Sequence, residues 1–233
     1  MSTRMVEVRA KVLKQNDLLA RALREKFRMY GVCVVGLVSS PGSGKTAFLE
    51  KLLAGLAAEF RVAALVGDLA TENDAARLKR ATTNVKQITT GTICHLDAQM
   101  IETALEASLD LWQLDSIDFL FIENVGNLVC PSSYDLGEEL RMVLLSATEG
   151  EDKPLKYPSI FFKSDLFVLT KIDLLPYVPF NADVAEANAR LVHPGIEIVR
   201  ASSTAEGGLD AWLAWLKQRM AQARQDTLAP AGA

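Results

Sequence analysis

The chain has 233 residues, of which 49% are hydrophobic and 23% are charged, and its net charge is −4 at pH 7. This size and composition suit one globular domain with a sizeable core, and the negative charge gives no reason to expect a nucleic-acid-binding protein. No apolar stretch reaches the roughly 20 residues of a membrane-spanning helix, and the first residues contain no signal-peptide core, so we expect a cytoplasmic protein with no membrane partner.

Apolar segments alternate with helical patterns along the chain. The first 30 residues predict an amphipathic helix, whose apolar face carries Val12, Leu19, Leu23 and Phe27. Six short segments then predict strands: VCVVGLV, VAALVGD, DFLFIEN, MVLLSAT, DLFVLTK and IEIVRAS. We expect the helix of residues 1–30 to pack on a domain formed by 31–222, followed by a disordered tail at 223–233. The alternation predicts an α/β fold with a mostly parallel central sheet flanked by helices.

The stretch SSPGSGKT, residues 39–46, lies between the first predicted strand and a helical pattern. It matches the phosphate-binding pattern G-x-x-x-x-G-K-S/T except at Ser39, where a glycine is usual. Glycines let the backbone approach phosphates, the lysine can reach the β and γ phosphates, and the threonine can bind Mg²⁺. The residues expected to bind the phosphates are Gly42, Ser43, Gly44, Lys45, Thr46 and Ala47. The strand–loop–helix order therefore predicts a three-layer P-loop NTPase, whereas the alternative is a glycine-rich turn between two core elements.

Acidic residues follow two of the predicted strands. Asp68 follows the second strand and Glu123 follows DFLFI, so we expect both to reach the Mg²⁺ ion bound by Thr46, directly or through water. Either acid alone could equally cap a helix or turn. Gly126, in ENVG, could place a backbone N–H near the γ phosphate and act as a switch. The residues predicted to have catalytic roles are Lys45, Glu123 and Asp74, the last as a candidate for positioning the attacking water.

The sequence TKID follows the predicted strand DLFVL and indicates which base is bound. It resembles the guanine-recognition pattern N/T-K-x-D, in which the aspartate accepts hydrogen bonds from the ring N–H and exocyclic amine of guanine. Adenine lacks both donors in that arrangement and would leave the carboxylate unpaired, so we predict GTP rather than ATP. The residues expected to bind the base are Thr170, Lys171, Asp173, Ser202 and Ser203. The two serines belong to ASST, which could supply a backbone N–H to the guanine carbonyl.

Six longer stretches resemble one known family. They are SSPGSGKT, TENDAARL, TTGTICHLDAQMI, IENVGNLVCPSSYDLGE, LLSATEGEDKPLKYP and KIDLLPYV. Over roughly residues 30 to 216 they are similar to the nickel-delivering GTPases of hydrogenase maturation, the HypB family. The resemblance implies a metal-regulated GTPase of the SIMIBI class that uses GTP and Mg²⁺ and forms a homodimer when GTP is bound. It also implies a hydrogenase-maturation metallochaperone and the hydrogenase large subunit as partners.

The same resemblance implies a nickel or zinc site at Cys94, His95 and Cys130. Two thiolates and an imidazole suit Ni²⁺ or Zn²⁺. The spacing alone matches no zinc-finger pattern, and without the resemblance core packing would be the better interpretation, as it is for Cys33 in the first strand. Cys130 follows ENVGNLV and therefore lies a few residues from the predicted switch at Gly126. Nucleotide state and metal affinity could then be coupled.

Two further interpretations remain open on the sequence. The first is the nickel GTPase of urease assembly, whose usual Cys-Pro-His metal motif does not occur in this chain. The second is a nucleotide-dependent metallochaperone scaffold in which hydrolysis is incidental. Residues 1–30 contain no Cys and no His, so we expect only the metal site that is linked to the nucleotide.

Overall fold

The computed structural model describes residues 3–69 and 73–228, with side chains described from residue 7 to residue 219. The strands are β1 (Cys33–Ser39), β2 (Val62–Asp68), β3 (Val85–Thr89), β4 (Phe119–Glu123), β5 (Leu140–Ser146), β6 (Leu166–Thr170) and β7 (Glu197–Arg200). The helices are α1 (Thr3–Met29), α2 (Lys45–Leu56), α3 (Asn73–Leu78), α4 (Ala98–Glu106), α5 (Lys153–Lys156), α6 (Pro158–Phe162), α7 (Ala182–Val192) and α8 (Asp210–Leu228). Short 3₁₀ segments lie at Leu114–Ser116, Cys130–Ser133 and Ile172–Tyr177.

The strands form one parallel sheet in the order β3-β2-β4-β1-β5-β6-β7. Alternate residues of each strand face opposite layers of helices. Helices α2, α3 and α8 pack on one face around Phe48, Leu52 and Trp212. Helices α1, α4, α6 and α7 cover the other face, where Phe27 and Phe161 are buried. The predicted three-layer α/β fold is thus confirmed.

The sheet order determines where ligand-binding residues meet. Strand β1 lies between β4 and β5, and the chain leaves β1 to enter the phosphate loop. In a parallel sheet the carboxyl ends of the strands share one edge, and ligands bind where the strand order reverses. The residues that follow β1, β2, β4 and β6 therefore lie along the same edge as the loop.

Strand β3 is missing from the six strands that the sequence predicts. Its residues read VKQIT, and only Val85 is buried. Because β3 pairs with β2 alone at the end of the sheet, it does not need the continuous apolar pattern of a central strand. Backbone pairing, rather than burial of side chains, places this segment in the sheet.

Helix α1 buries most of the predicted face, since Leu23 and Phe27 are 3% and 2% exposed and Leu19 packs against the same core. Val12 is 46% exposed and Leu19 is only half-buried. The contact with the rest of the chain is made by Asn16, Ala20, Leu23 and Phe27, which recur at helical spacing. The prediction from hydrophobicity is therefore confirmed at Leu23 and Phe27 and wrong at Val12, and it misses the buried polar residue Asn16.

The described chain ends in a helix. Helix α8 runs to Leu228, so the segment expected to form a disordered tail from residue 223 begins as helix, and residues 229–233 lie outside the described part. No helix among the described residues is long and apolar enough to cross a membrane.

Candidate nucleotide and metal site

The phosphate loop, residues 39–46, connects β1 directly to α2. Gly42 and Gly44 have φ angles of 76° and 87°, a left-handed conformation that L side chains rarely adopt. Gly44 is the residue before α2, so the positive end of that helix and its free N–H groups face the loop. Ser39 is the last residue of β1, where the backbone is extended and a glycine is not required. The one departure from the loop pattern therefore has a structural reason.

Lys45, Thr46 and Glu123 form a buried hydrogen-bonded group at the start of α2. Nζ of Lys45 and Oγ1 of Thr46 both donate to Oε1 of Glu123, at 2.8 Å and 2.7 Å. The side chains of Lys45 and Glu123 are 9% and 1% exposed. Within the described part of the chain, the buried Oε2 of Glu123 and Oγ of Ser43 have no hydrogen-bond partner. Unpaired buried polar atoms beside a lysine and left-handed glycines suit a charged ligand such as magnesium and phosphate.

Three other predicted residues lie along the same edge. Asp68 ends β2, and its Oδ1 accepts the N–H of Leu69 at 2.6 Å. Asp74 lies in the first turn of α3, just beyond the undescribed residues 70–72. Gly126 approaches the phosphate loop so closely that an added Cβ would lie 3.0 Å from Cα of Pro41. The contact of Gly126 with the loop explains why a glycine is needed at this position.

The predicted base-recognition residues meet at the ends of β6 and β7. Oγ1 of Thr170 donates to the carbonyl of Ser43 at 2.7 Å, which joins this segment to the phosphate loop. Oγ of Ser202 donates to Oδ1 of Asp173 at 2.5 Å. This hydrogen bond is the main reason that the pKa of Asp173 lies below its ordinary value. The lowered pKa favours the ionised form of the exposed Asp173 carboxylate, which accepts hydrogen bonds and donates none.

Lys171 has φ 57°, the only positive φ of a non-glycine residue among those described. Its Nζ donates to the carbonyl of Gly42 at 2.7 Å, so the extended lysine stem lies across the loop. Such a strained backbone conformation costs free energy and is typical of functional sites. Lys171 and Thr170 thus connect the base-recognition segment to two different carbonyls of the phosphate loop.

The ASST segment offers fewer backbone donors than the sequence suggested. The N–H groups of Ala201 and Ser202 donate to Leu169 and Gly208. That of Thr204 donates to Oγ of Ser202. In the described chain, Ser203 is the one residue of ASST whose N–H has no acceptor. Among the described residues of ASST, the N–H of Ser203 is therefore the remaining candidate donor for the predicted hydrogen bond to the guanine carbonyl.

Cys94, His95 and Cys130 come together at the carboxyl edge of the sheet. Their ligand atoms all lie within 4.8 Å of one another, and the two Sγ atoms are 3.1 Å apart. The Cys94 thiol, with help from burial, raises the pKa of Cys130 above its ordinary value. We call these three residues the thiol–imidazole cluster. Their chemistry and convergence suit a Ni²⁺ or Zn²⁺ ion.

The imidazole of His95 is positioned by an aromatic contact that the sequence does not reveal. The rings of His95 and Tyr134 stack with centroids 4.0 Å apart. Burial lowers the pKa of His95, which favours the neutral form that binds metals. Of the described side-chain atoms, Nδ1 of His95 is among the few that are buried without a hydrogen-bond partner. A metal-binding imidazole needs such a free nitrogen.

Three asparagines that sequence reasoning missed hold the backbone around the cluster. Asn124 accepts the N–H of Leu96 at 3.0 Å, and Asn16 accepts that of Ala98 at 2.9 Å. Asn127 donates to the carbonyl of Cys94 at 3.3 Å. Two of them lie in ENVGN, directly after Glu123, and a polar side chain after a buried strand was the signal that could have identified them.

A lysine also lies beside the phosphate loop. Nζ of Lys153 donates to Oγ of Ser40 and to Oε2 of Glu149, both at 3.0 Å. Glu149 in turn accepts the N–H of Ser146, the last residue of β5. The residues that follow β5 therefore add a second cation next to the loop, in the stretch LLSATEGEDKPLKYP.

Comparison with known proteins identifies the family. The model of the CobW/HypB/UreG nucleotide-binding domain matches residues 33–200. The hydrogenase maturation factor HypB of Escherichia coli K12 is 49% identical over 214 residues, which cover 92% of this chain and 72% of that protein. The hydrogenase/urease maturation factor HypB of Helicobacter pylori is 39% identical, covering 97% of this chain and 93% of its own.

Solved structures agree with this assignment. A crystal structure of Helicobacter pylori HypB in complex with nickel superposes with a TM-score of 0.84 at 40% identity, covering 89% of this chain and 96% of that one. HypB from Archaeoglobus fulgidus gives 0.81 at 35% identity, covering 89% and 99%. The signal recognition particle 54 kDa protein of Aeropyrum pernix, at 16% identity, covers 82% of this chain and 50% of its own, and shares the fold alone, with a TM-score of 0.54. The chain belongs to the HypB family of hydrogenase maturation factors, within the CobW/HypB/UreG group of nucleotide-binding proteins.

Proposed function

We propose that this protein is a GTPase that binds nickel and delivers it during maturation of nickel–iron hydrogenase. One observation supports the proposal above all others. Glu123, at the end of β4, accepts hydrogen bonds from Lys45 and Thr46, and the segment that follows it reaches Cys130 of the thiol–imidazole cluster. A single loop thus carries a candidate magnesium ligand at one end and a candidate nickel ligand at the other.

The residues of the loop fit a magnesium–GTP complex. The backbone N–H groups around Gly42 and Gly44 would surround the phosphates, and Thr46, Asp68 and Glu123 would hold the ion. Magnesium, when bound, neutralises charge on the phosphates. Lys45 would exchange its hydrogen bond with Glu123 for one with a phosphate oxygen.

The remaining nucleotide roles follow from the same edge of the sheet. Asp173 would accept two hydrogen bonds from guanine, with the N–H of Ser203 on the guanine carbonyl. Asp74 is our candidate for orienting the attacking water. No arginine is assigned a role in charge stabilisation, so the proposed intrinsic hydrolysis is slow.

The thiol–imidazole cluster would bind nickel as cargo. Three protein ligands leave one position of a four-coordinate ion open, and the ion would fill it from water or from a second subunit. The Helicobacter pylori relative crystallised as a complex with nickel, which supports nickel as the cargo here. Zinc is a competing ion because both metals accept thiolate and imidazole ligands.

We further propose a homodimer that forms when GTP is bound. Exposed apolar side chains lie next to the proposed ligands: Leu69 after Asp68, Ile93 before Cys94 and Val129 before Cys130, at 42%, 40% and 60% exposure. Apolar residues grouped around a site favour an interface. The proposed partners are a hydrogenase-maturation metallochaperone and the hydrogenase large subunit, in the cytoplasm.

Delivery of nickel to urease is a second candidate. It is favoured by the Helicobacter relatives, whose names combine hydrogenase and urease maturation. Adding the purified protein to each apoenzyme with its maturation partners, and measuring which enzyme gains nickel, separates the two.

A nickel titration in two nucleotide states tests the proposal. Wild-type protein, the double variant Cys94→Ala/His95→Ala and the control Cys33→Ala are titrated with Ni²⁺ in GDP and in a non-hydrolysable GTP analogue. We expect the double variant to lose tight nickel binding and keep its GDP affinity, whereas the Cys33 variant keeps both. Undiminished nickel binding by the double variant would rule out the site. A multiple-turnover GTPase assay of the wild type, with its partners present, tests hydrolysis and excludes the scaffold if GTP is consumed.

A further inference from the structure

We propose that Asn124 is a positioning residue that transmits the nucleotide state to the thiol–imidazole cluster. The inference rests on the proposed nickel and GTP functions and assigns their coupling to one side chain. Asn124 is 2% exposed and lies between Glu123 and Val125. Its backbone N–H is hydrogen-bonded to the strand that leads into the phosphate loop, and its side-chain amide is hydrogen-bonded to the segment that carries His95.

On the nucleotide side, the N–H of Asn124 donates to the carbonyl of Leu37 at 3.0 Å. Leu37 lies in β1, two residues before the end of the strand that leads into the phosphate loop. The preceding residue, Glu123, is bound by both Lys45 and Thr46. Asn124 is therefore attached to the two chain segments that would respond when phosphate and magnesium bind.

On the metal side, Oδ1 of Asn124 accepts the N–H groups of Leu96 at 3.0 Å and of Val125 at 2.9 Å. Leu96 directly follows His95 and is fully buried. Its side chain packs against Gly67 so closely that a Cβ on that glycine would lie 2.9 Å from it. Leu96 therefore fills the space above Gly67. Because Leu96 directly follows His95, a shift at the Leu96 N–H would be transmitted along the backbone to His95.

The sequence of events follows from these contacts. If Lys45 donated instead to a phosphate and Thr46 bound magnesium, Glu123 would lose both hydrogen bonds that its Oε1 now accepts. Its carboxylate then adopts a new position, and the adjacent Asn124 moves with it. Since the Asn124 amide is bonded to Leu96, the backbone beside His95 moves as well, and the distance between imidazole and thiols changes.

Asn16 provides a matched control. It is also a buried asparagine, 8% exposed, and it also accepts a backbone N–H of the same segment, that of Ala98 at 2.9 Å. Its Nδ2 donates to the carbonyl of Asp135. Both contacts support the chain around the cluster, but Asn16 comes from α1 and neither contact belongs to the proposed nucleotide ligands. Loss of Asn16 should therefore weaken nickel binding without changing how strongly the nucleotide state affects nickel affinity.

The test compares wild type and variants by one quantity, the ratio of nickel affinity in GDP to nickel affinity in a GTP analogue. Both affinities are measured from the Ni²⁺–thiolate absorption band. We expect a ratio different from one in the wild type and close to one in Asn124→Ala. In Asn16→Ala, we expect nickel affinity to fall by the same factor in both states, which leaves the ratio at its wild-type value. Asn124→Asp keeps the oxygen acceptor and should retain most of the ratio.

The outcomes separate this inference from the proposed function. A wild-type ratio of one would refute the proposed coupling and the role of Asn124 with it. A wild-type ratio that persists in Asn124→Ala would overturn the role of Asn124 and leave the proposed function intact. Amide exchange of Leu96 in metal-free wild-type protein gives a measurement that needs no variant. We expect its rate to differ between the two nucleotides, and equal rates would overturn the inference.

Discussion

The hydroxyl of Thr170 donates a hydrogen bond to the carbonyl of Ser43 at 2.7 Å, between the end of β6 and the phosphate loop. Both residues are almost fully buried, at 3% and 1% exposure. The predicted base-recognition segment is therefore joined directly to the phosphate loop, and a threonine at the first position of TKID has a structural role of its own.

Replacing Thr170 by valine keeps the shape of the side chain and removes the donor. The buried carbonyl of Ser43 would lose this partner, so we expect the free energy of unfolding to fall by about 1–2 kcal/mol and GDP affinity to fall as well. Chemical denaturation and nucleotide titration measure both effects. Thr170→Ser retains the hydroxyl and serves as the control, and equal stability of the two variants would contradict the prediction.

Asp173→Asn should change the base that the protein prefers. Loss of a charged acceptor should cost about 2 kcal/mol of GTP binding, or roughly 30-fold in affinity. The new amide can donate to the C2 carbonyl of xanthine, so affinity for xanthosine triphosphate should rise relative to GTP. Competition binding measures the two nucleotides, with the exposed Asp110→Asn as a control for loss of charge. A wild type that prefers ATP would refute guanine recognition itself.

Because Asp173 is ionised, its contribution to GTP affinity should not depend on pH near neutrality. The Ser202 hydrogen bond holds the pKa of Asp173 below the ordinary value of about 3.9, so the carboxylate is charged throughout the neutral and mildly acidic range. The ratio of GTP affinities between wild type and Asp173→Asn should therefore be constant from about pH 5.5 to 8. A ratio that shrinks within that range would show that Asp173 is not the ionised acceptor.

Lys45→Met should reduce GTP turnover by at least about 100-fold, because it removes the cation that we propose stabilises charge on the transferred phosphate. Lys51→Met, an exposed lysine of the same helix, is the control and should leave turnover unchanged. A phosphate-release assay measures both. Without a partner, the wild type should turn over far less than once per second, and many turnovers per second would contradict the assignment of a slow intrinsic GTPase.

Gly126→Ala should weaken nucleotide binding because the new Cβ would lie 3.0 Å from the backbone of Pro41 in the phosphate loop. Backbone atoms cannot move away as easily as the end of a side chain, so the loop must shift. Gly195→Ala is the matched control, since its Cβ would lie 3.7 Å from the nearest atom, at ordinary contact distance. GDP titration of the two variants measures the effect, and equal affinities would refute the close contact.

Asp135→Asn should lower the free energy of unfolding at neutral pH. In acid this difference from the wild type should disappear. Burial tends to raise the pKa of Asp135, but the Arg24 guanidinium and the N–H of Gly137 more than offset it, and the pKa is lowered. A depressed folded-state pKa stabilises the fold above the unfolded pKa of about 3.9 and loses this contribution as pH falls through the folded pKa. We expect a loss of about 1 kcal/mol at pH 7 that shrinks below about pH 4.

Denaturation of the wild type and Asp135→Asn at several pH values measures this difference. Asp152→Asn is the control, because Asp152 pairs with Lys156 on the exposed surface and should contribute nothing measurable. A stability difference for Asp135→Asn that stays constant from neutral pH into acid would rule out the charged pair as its cause.

Elements that are defined by residues close together in the chain could be predicted from the sequence. The phosphate loop and TKID each directly follow a short apolar strand, and β-branched residues predict such strands through local packing preferences. Six of the seven strands of the described chain were found in this way. The exception, β3, lies at the sheet edge and takes its place from pairing with β2, which the residues of β3 do not encode by themselves.

Which distant residues meet depends instead on how the elements pack in three dimensions. Cys94 and Cys130 are 36 positions apart, and Asn16 reaches Ala98 across 82 positions. These contacts depend on the order of strands in the sheet, which places β2, β4 and β1 side by side, and a local pattern carries no information on that order. For the same reason, the burial of Asn16 in the face of α1 and the hydrogen bond between Asn124 and Leu96 could be found only from the packed structure.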